Sequence, residues 1–193
     1  MSLIFFFDTE TTGLPSFKEP SDAPHQPHIV QVAAGLADSD SRKVLASLDL
    51  IVKPDGWEIP EEVSALHGIT TADAIRIGID ESLVTELVLD LWRNADLRVA
   101  HNTTFDDRIM RIAFKRYATE AVAEEWKAGE KFCTCWKSKP HVNASGKLPT
   151  LAEAYAHFVG GTFENAHSAR ADMEACAAVY FAMQDAGLGW RAE

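Results

Sequence analysis

Residues 3–7, Leu-Ile-Phe-Phe-Phe, form an unbroken apolar run that stops on two acids, Asp8 and Glu10. A segment apolar at every position reads as a strand covered on both faces, so it has to lie inside a layered fold. An acid at the end of such a run is costly to place unless positive charge compensates it. The pattern recurs at two distant points: Asp106 follows the strand-like segment 96–100, and Asp172 lies among the apolar residues of the last helical segment. The simplest physical reason for three such placements is a fold that gathers carboxylates around divalent metal.

The rest of the chain says which layers are available. Residues 15–27 hold four prolines among polar residues and read as a loop. Segments 29–36 and 44–52 read as strands around the turn Asp38-Ser39-Asp40-Ser41, which with the first strand makes an antiparallel meander. Pro60-Glu61-Glu62 opens a short helix that Gly68 closes. A second helix fits 80–93, with Leu83, Leu87, Val88 and Leu91 along its apolar face. Residues 96–100 read as a strand leading into His101-Asn102, and from Phe105 apolar residues recur with helical spacing. Beyond it the pattern predicts a helix over 120–127, an extended piece over 131–135 and a mobile polar loop over 137–147. Thr150 caps a helix that runs to about 159 and ends at Gly160-Gly161, and the last helix covers 168–186. The whole is mixed α/β with helices covering the sheet. At 193 residues and 47% hydrophobic, we expect one domain over 1–193.

Asp8 and Glu10 stand two apart in extended chain, so they share a face roughly 6.5–7 Å apart along the backbone. That spacing lets them share a metal ion or grip a pair; a solvated Asp-x-Glu at a strand end is the alternative. Asp106 falls in the first turn of its helix, where an acid also complements the helix dipole, a task Asp107 could serve instead. His101-Asn102 at the strand end are either site residues or a structural hydrogen-bonding pair. On the last helix, Ala169, Met173, Cys176, Ala177, Val179, Tyr180 and Phe181 make the core-facing stripe. At about 100° per residue, Asp172 projects between Cys176 and Val179, inside that stripe. His167 precedes the helix and can reach over the same place, where a histidine can take a proton from water near neutral pH. A capping or core role is the competing reading.

The strings FDTETTGL, HNTTFD and HSARAD resemble the three motifs of the DEDDh group of DnaQ-like 3′–5′ exonucleases, in the right order and separation. KPDGWEIPEEVSALHGIT and LAEAYAHF are also similar to this family, so the resemblance covers roughly 3–182. It implies an RNase H-like fold, a mixed five-stranded sheet of three antiparallel strands plus parallel ones, flanked by helices. It implies hydrolysis assisted by two divalent ions, Mg²⁺ or Mn²⁺, held by Asp8, Glu10, Asp106 and Asp172, with His167 as general base. By the same resemblance, Thr9, Thr11 and Leu14 hold the terminal nucleotide, with Leu14 wedged against its base. His101, Asn102 and Phe105 line the same pocket, and Phe105 offers a stacking face.

Charge and composition set the remaining expectations. A net charge of −11 disfavours a protein that coats long nucleic acid, though not one that holds a strand end through metal ions. The expected partner is a single-stranded or frayed 3′ end, DNA ahead of RNA, with no membrane. The proofreading subunits of replicative polymerases continue into a polymerase-binding tail, whereas here residues 191–193 follow soon after the last apolar stripe, so a stand-alone nuclease, or one recruited through another surface, is expected. Three cysteines fit a reducing cytoplasm better than a disulfide framework. Cys133-x-Cys135 near His141 lacks the second close pair that a zinc site needs. Arg108, Arg111, Lys115 and Arg116 make one helix locally basic, either to guide upstream phosphates or simply as solvated charge. An RNase of the same family, of the RNase T or oligoribonuclease type, a non-catalytic end-binding protein and a nucleotide hydrolase remain as other readings.

Overall fold

The computed structural model describes residues 2–144 and 146–190. Three long strands, β1 (Leu3–Thr11), β2 (Ile29–Asp38) and β3 (Val44–Lys53), form the expected antiparallel meander. Asp38 fastens the β2–β3 turn by accepting from the Ser41 N–H (2.6 Å) and Ser41 hydroxyl (2.7 Å). Helices α1 (Glu61–His67) and α2 (Thr71–Ile77) lead to β4 (Ile79–Asp80) and then α3 (Glu81–Trp92). Strand β5 (Leu97–Ala100) runs into α4 (Thr103–Tyr117), followed by α5 (Glu120–Ala128), β6 (Lys131–Cys133), α6 (Thr134–Val142), α7 (Leu151–Phe158) and α8 (Ala169–Asp185).

The sheet has six strands in the order β4-β3-β2-β1-β5-β6, with β5 and β6 parallel to β1 and to each other. The class is the expected mixed α/β one, with one strand more than five. Short β4, which pairs with the end of β3 through Ile79 and Asp80, carries no periodicity of its own. Three further differences have local causes. Helix α2 starts on an N-cap, Thr70, whose hydroxyl accepts from the Asp73 N–H, a signal the apolar pattern does not contain. Most of the expected polar loop over 137–147 is helix α6, capped by the Cys133 sulfur; Pro140 and two lysines hide it from a pattern reading. Ser145 of that stretch, like residues 191–193 at the end, lies outside the described residues. On α3 the buried side is Val84, Val88, Leu89 and Trp92, whereas Leu83 and Leu87 are exposed.

Alternation along β1 divides the core. Phe5 and Phe7 face α3, α4 and α5, where Trp126 packs edge-on to Phe7 at 5.3 Å. Ile4 and Phe6 face α8, against Met173, Val179 and Tyr180. Parallel pairing with β5 covers only Ile4–Phe6, while pairing with β2 continues to Thr11. The last third of β1 therefore emerges past β5, paired on one side, at the end where α4 and α8 begin.

Candidate active site

The even positions of β1 that carry Ile4 and Phe6 toward α8 carry Asp8 and Glu10 toward it too. Asp172, in the first turn of α8, meets them there. Oxygens of Asp8, Glu10 and Asp172 lie within 4.8 Å of one another, the one group of three potential metal ligands among the described residues. All three are half-buried. Burial raises each carboxyl, and repulsion adds to it at Glu10 and Asp8: Glu10 is pushed up to about 8, first by burial and then by Asp172 and Asp106. Asp8 also rises well above the usual range, by burial first and then by Asp106, Asp172 and Glu10. Three hard oxygen donors that repel one another when ionised are the chemistry of a Mg²⁺ or Mn²⁺ site, so the residues present fit a divalent cation.

Asp106 stands apart from that triad. The odd face of β1 turns Thr9 toward α4, and Asp106 accepts there from the Thr9 N–H (3.1 Å) and hydroxyl (2.8 Å) through one oxygen. The carboxyl is buried, which raises it to about 7 despite the Thr9 hydroxyl bond. Both Thr9 bonds fall on Oδ1. Asp107 does not serve the helix end. It is bidentate to fully buried Arg98 (2.8 and 3.2 Å) and also bonds Lys131 (2.8 Å). Arg98 stacks over Trp126 at 4.4 Å, which ties β5, α4 and α5 together behind the site.

His167 sits in a left-handed conformation (φ 69°) just before α8, where its N–H donates to Asp172 Oδ2 at 3.0 Å. The ring is exposed and near enough to Asp172 to act on its charge. Among the expected nucleotide-binding residues, Leu14 is 86% exposed on the loop beyond the acids, and Phe105 is half-buried at the start of α4. Asn102 begins α4 in a left-handed conformation (φ 65°), with its side chain making no cap bond. The Thr11 hydroxyl donates to Gly13 O at 2.8 Å and closes the turn. His101 holds Thr134 Oγ1 at 2.9 Å through Nδ1 and donates from Nε2 to Pro149 O at 3.1 Å, so both ring nitrogens join β5 to α6 and the segment before α7.

Two structural supports have no motif. Gln31, opposite Glu10 on β2, accepts from the Ala169 N–H (3.2 Å) and donates to Asp49 (2.7 Å). It thereby holds the start of α8, whose own N-cap Ser168 makes no side-chain bond. The loop over 15–27 is fastened rather than loose. Buried Gln26 bonds Ser16 O, the Ser16 N–H and Pro20 O, while Arg108 reaches Ser16 O (3.1 Å) and Glu19 O, and Arg116 reaches Pro27 O (2.7 Å). Three of the four basic residues of α4 thus reach the loop, Arg111 through Ser21 Oγ (3.3 Å), and Lys115 pairs with Glu120. Helical spacing alone shows that these charges share a helix, not that a loop returns across it. Cys133, Cys135 and Cys176 are free, and Cys135 donates to Pro149 O.

The RNase T family, described as exonuclease, matches residues 5–180. No curated protein sequence matches the chain. The fold is similar to that of a zinc-bound E. coli exonuclease I–ssDNA complex (TM-score 0.75, 22% identity, 96% of this chain and 41% of that one). It is similar as well to E. coli exonuclease I with a dT13 oligonucleotide (0.74, 21%, 95% and 41%). A moderately thermophilic exonuclease I from Methylocaldum szegediense gives 0.73 and 19%, over 96% and 41%. The chain therefore spans about two fifths of the length of the structures it resembles.

Proposed function

The chain belongs to the RNase T exonuclease family, and on that premise we propose that it is a metal-dependent 3′–5′ exonuclease that releases nucleoside 5′-monophosphates. The observation that carries the reading is the convergence of Asp8, Glu10 and Asp172 within 4.8 Å at the open end of β1. Those three, with Asp106, would hold two divalent cations, Mg²⁺ or Mn²⁺. When bound, the cations supply the positive charge that steadies the attacking and leaving oxygens at phosphorus. His167 takes the proton of the attacking water on a ring nitrogen, water oxygen bonds to phosphorus, and the bond to the leaving 3′-oxygen breaks. The left-handed backbone that lets His167 N–H bind Asp172 supports this reading by keeping the histidine beside that acid. Leu14 and Phe105 offer apolar surface to the last base, and Thr9, Thr11, His101 and Asn102 shape the pocket around it.

Single-stranded DNA is the favoured substrate in this reading; the oligonucleotide complexes of exonuclease I support it by analogy of fold. We take residues 1–193 to act as one exonuclease domain. No helix among the described residues is long and apolar enough to cross a membrane, and three free cysteines fit a reducing cytoplasm. The test is digestion of 5′-labelled single-stranded DNA and RNA of one sequence with Mg²⁺, Mn²⁺ or chelator, alongside Asp172→Ala. The expected result is a ladder shortening from the 3′ end, faster on DNA, absent with chelator and in the variant. Faster loss of RNA would move the reading to the RNases of the family; intact strands with every metal would refute it.

A further inference from the structure

Outside the acid cluster, one recess collects positive charge in this acidic chain. It lies on the outer side of α4, beneath the 15–27 loop, with a volume of about 180 Å³. Phe17, Thr104, Arg108, Arg111, Lys127 and Lys131 line it, over a floor of Asp107 and Trp126. The cations outnumber the acids. Asp107 is shared by Arg98 and Lys131, and Glu124 by Arg111 and Lys127, while Arg108 bonds only to loop carbonyls and has Asp22 within electrostatic reach. Five cations against three carboxylates leave a surplus of two positive charges, in a chain that carries −11 overall. The surplus sits on flexible, reachable groups: the Lys127 and Lys131 side chains are 62% and 50% exposed. Beside them Phe17 is 58% exposed, an aromatic ring held out by a loop that Gln26 and Arg108 fasten in place.

Two elements run from the active site to the recess. Thr104 and Asp106 share the first turn of α4, and Leu14 and Phe17 stand three apart on one loop. From Thr104 to Arg111 the recess follows α4 for about 10 Å at 1.5 Å per residue. Cations that hold phosphate oxygens and a ring that stacks on a base are together what a single strand needs.

We propose that this recess is a second nucleic-acid subsite, which holds phosphates of a single strand beyond the nucleotide being removed and stacks one base on Phe17. The proposal rests on the exonuclease reading for its direction along the strand. It explains how a protein of net charge −11 keeps hold of a polyanion: the attraction is local and follows one helix away from the acids.

The test measures binding and turnover separately. Binding of a fluorescent 12-mer and a trimer of single-stranded DNA is followed by anisotropy on an Asp172→Ala background, from 50 to 200 mM salt. Each is measured with Phe17→Ala and with the double change Lys127→Glu and Lys131→Gln. Both keep the core intact, since the replaced groups are exposed. The lysine pair should weaken the 12-mer about tenfold or more and reduce the salt slope by about 1.4, at roughly 0.7 per lost single-strand contact. Phe17→Ala should weaken it roughly five- to a hundredfold. The trimer should bind as before. Equal losses for trimer and 12-mer, or none for either, overturn the proposal. Inorganic phosphate and a mononucleotide serve as competitors; if the variants lose these by the factor lost for the 12-mer, the recess is a free-nucleotide site and the strand assignment fails. Digestion by the otherwise unchanged chain is read independently. Length-dependent binding without digestion would uphold the subsite and refute the exonuclease, and digestion without length dependence would do the reverse.

Discussion

Glu10→Gln should stabilise the metal-free protein, although the acid it removes is one the proposed reaction uses. In the folded chain the Glu10 carboxyl is raised from 4.5 to about 8 by burial and by Asp172 and Asp106. Between those two values the unfolded chain has released a proton that the folded one keeps. Folding stability therefore falls as pH rises through that window, and is flat with respect to this group below about 4.5 and above about 8. The full shift, discounted for the solvent at the partly open rim, corresponds to on the order of 4 kcal/mol. Glutamine keeps the shape and cannot ionise. In chelator at pH 8.5 the variant should exceed the parent by on the order of 4 kcal/mol, which is about 10 °C in Tm for a chain of this size. At pH 4.5 the two should nearly coincide. Mg²⁺ at a hundred times its Kd should narrow the gap by up to about 2.7 kcal/mol, since it adds that much to the form that binds it and less to the form that has lost a ligand. Thermal denaturation of both proteins at pH 4.5 and 8.5, with chelator and with Mg²⁺, measures all of this. A variant less stable than its parent in chelator at pH 8.5 would refute the reasoning, because the acids would then not be held against their own repulsion.

Two further predictions concern the support of the site and its base. Arg98→Met should cost about 3–5 kcal/mol, because Asp107 would lose a bidentate partner that is itself fully buried. Adding Asp107→Asn should recover part of it, and a loss below about 1 kcal/mol by urea denaturation would show that Lys131 alone suffices. His167→Ala should slow turnover by roughly 10²–10⁴ while leaving the magnesium titration midpoint unchanged. Full activity would exclude His167 as the base, and a shifted midpoint would mean that it acts through Asp172.

Much of the site is legible in the sequence because the two periodicities are local. A strand repeat of two puts Asp8 and Glu10 on the face of Ile4 and Phe6 without any knowledge of what covers that face. A helical repeat of 3.6 likewise puts Asp172 within the apolar stripe of α8, and the stripe is buried largely as read, with Ala169, Met173, Cys176, Val179 and Tyr180 inside. The meander, the helix ends at Gly68 and Gly160, and the Thr150 cap are equally local, each fixed by a turn residue or a side chain that bonds its own helix end. What periodicity does not give is the rotation of an element against its neighbours. Helix α3 offers two apolar rows, 83/87/91 and 84/88/92, and the packing of β2 and α4 against it buries the second. The same limit separates Asp106 from the other acids: Thr9, on the opposite face of β1, binds it from 97 residues away. Arg98 reads as part of a buried strand until Asp107 and Trp126 are placed beside it. Arg108 and Arg116 read as surface charge until the loop closes over α4. The sequence by itself determined which residues are candidates for the proposed chemistry and the direction each faces on its own element. Only the tertiary structure decided which of them meet, because that depends on how two layers dock, and no repeat within one element records its neighbour's position.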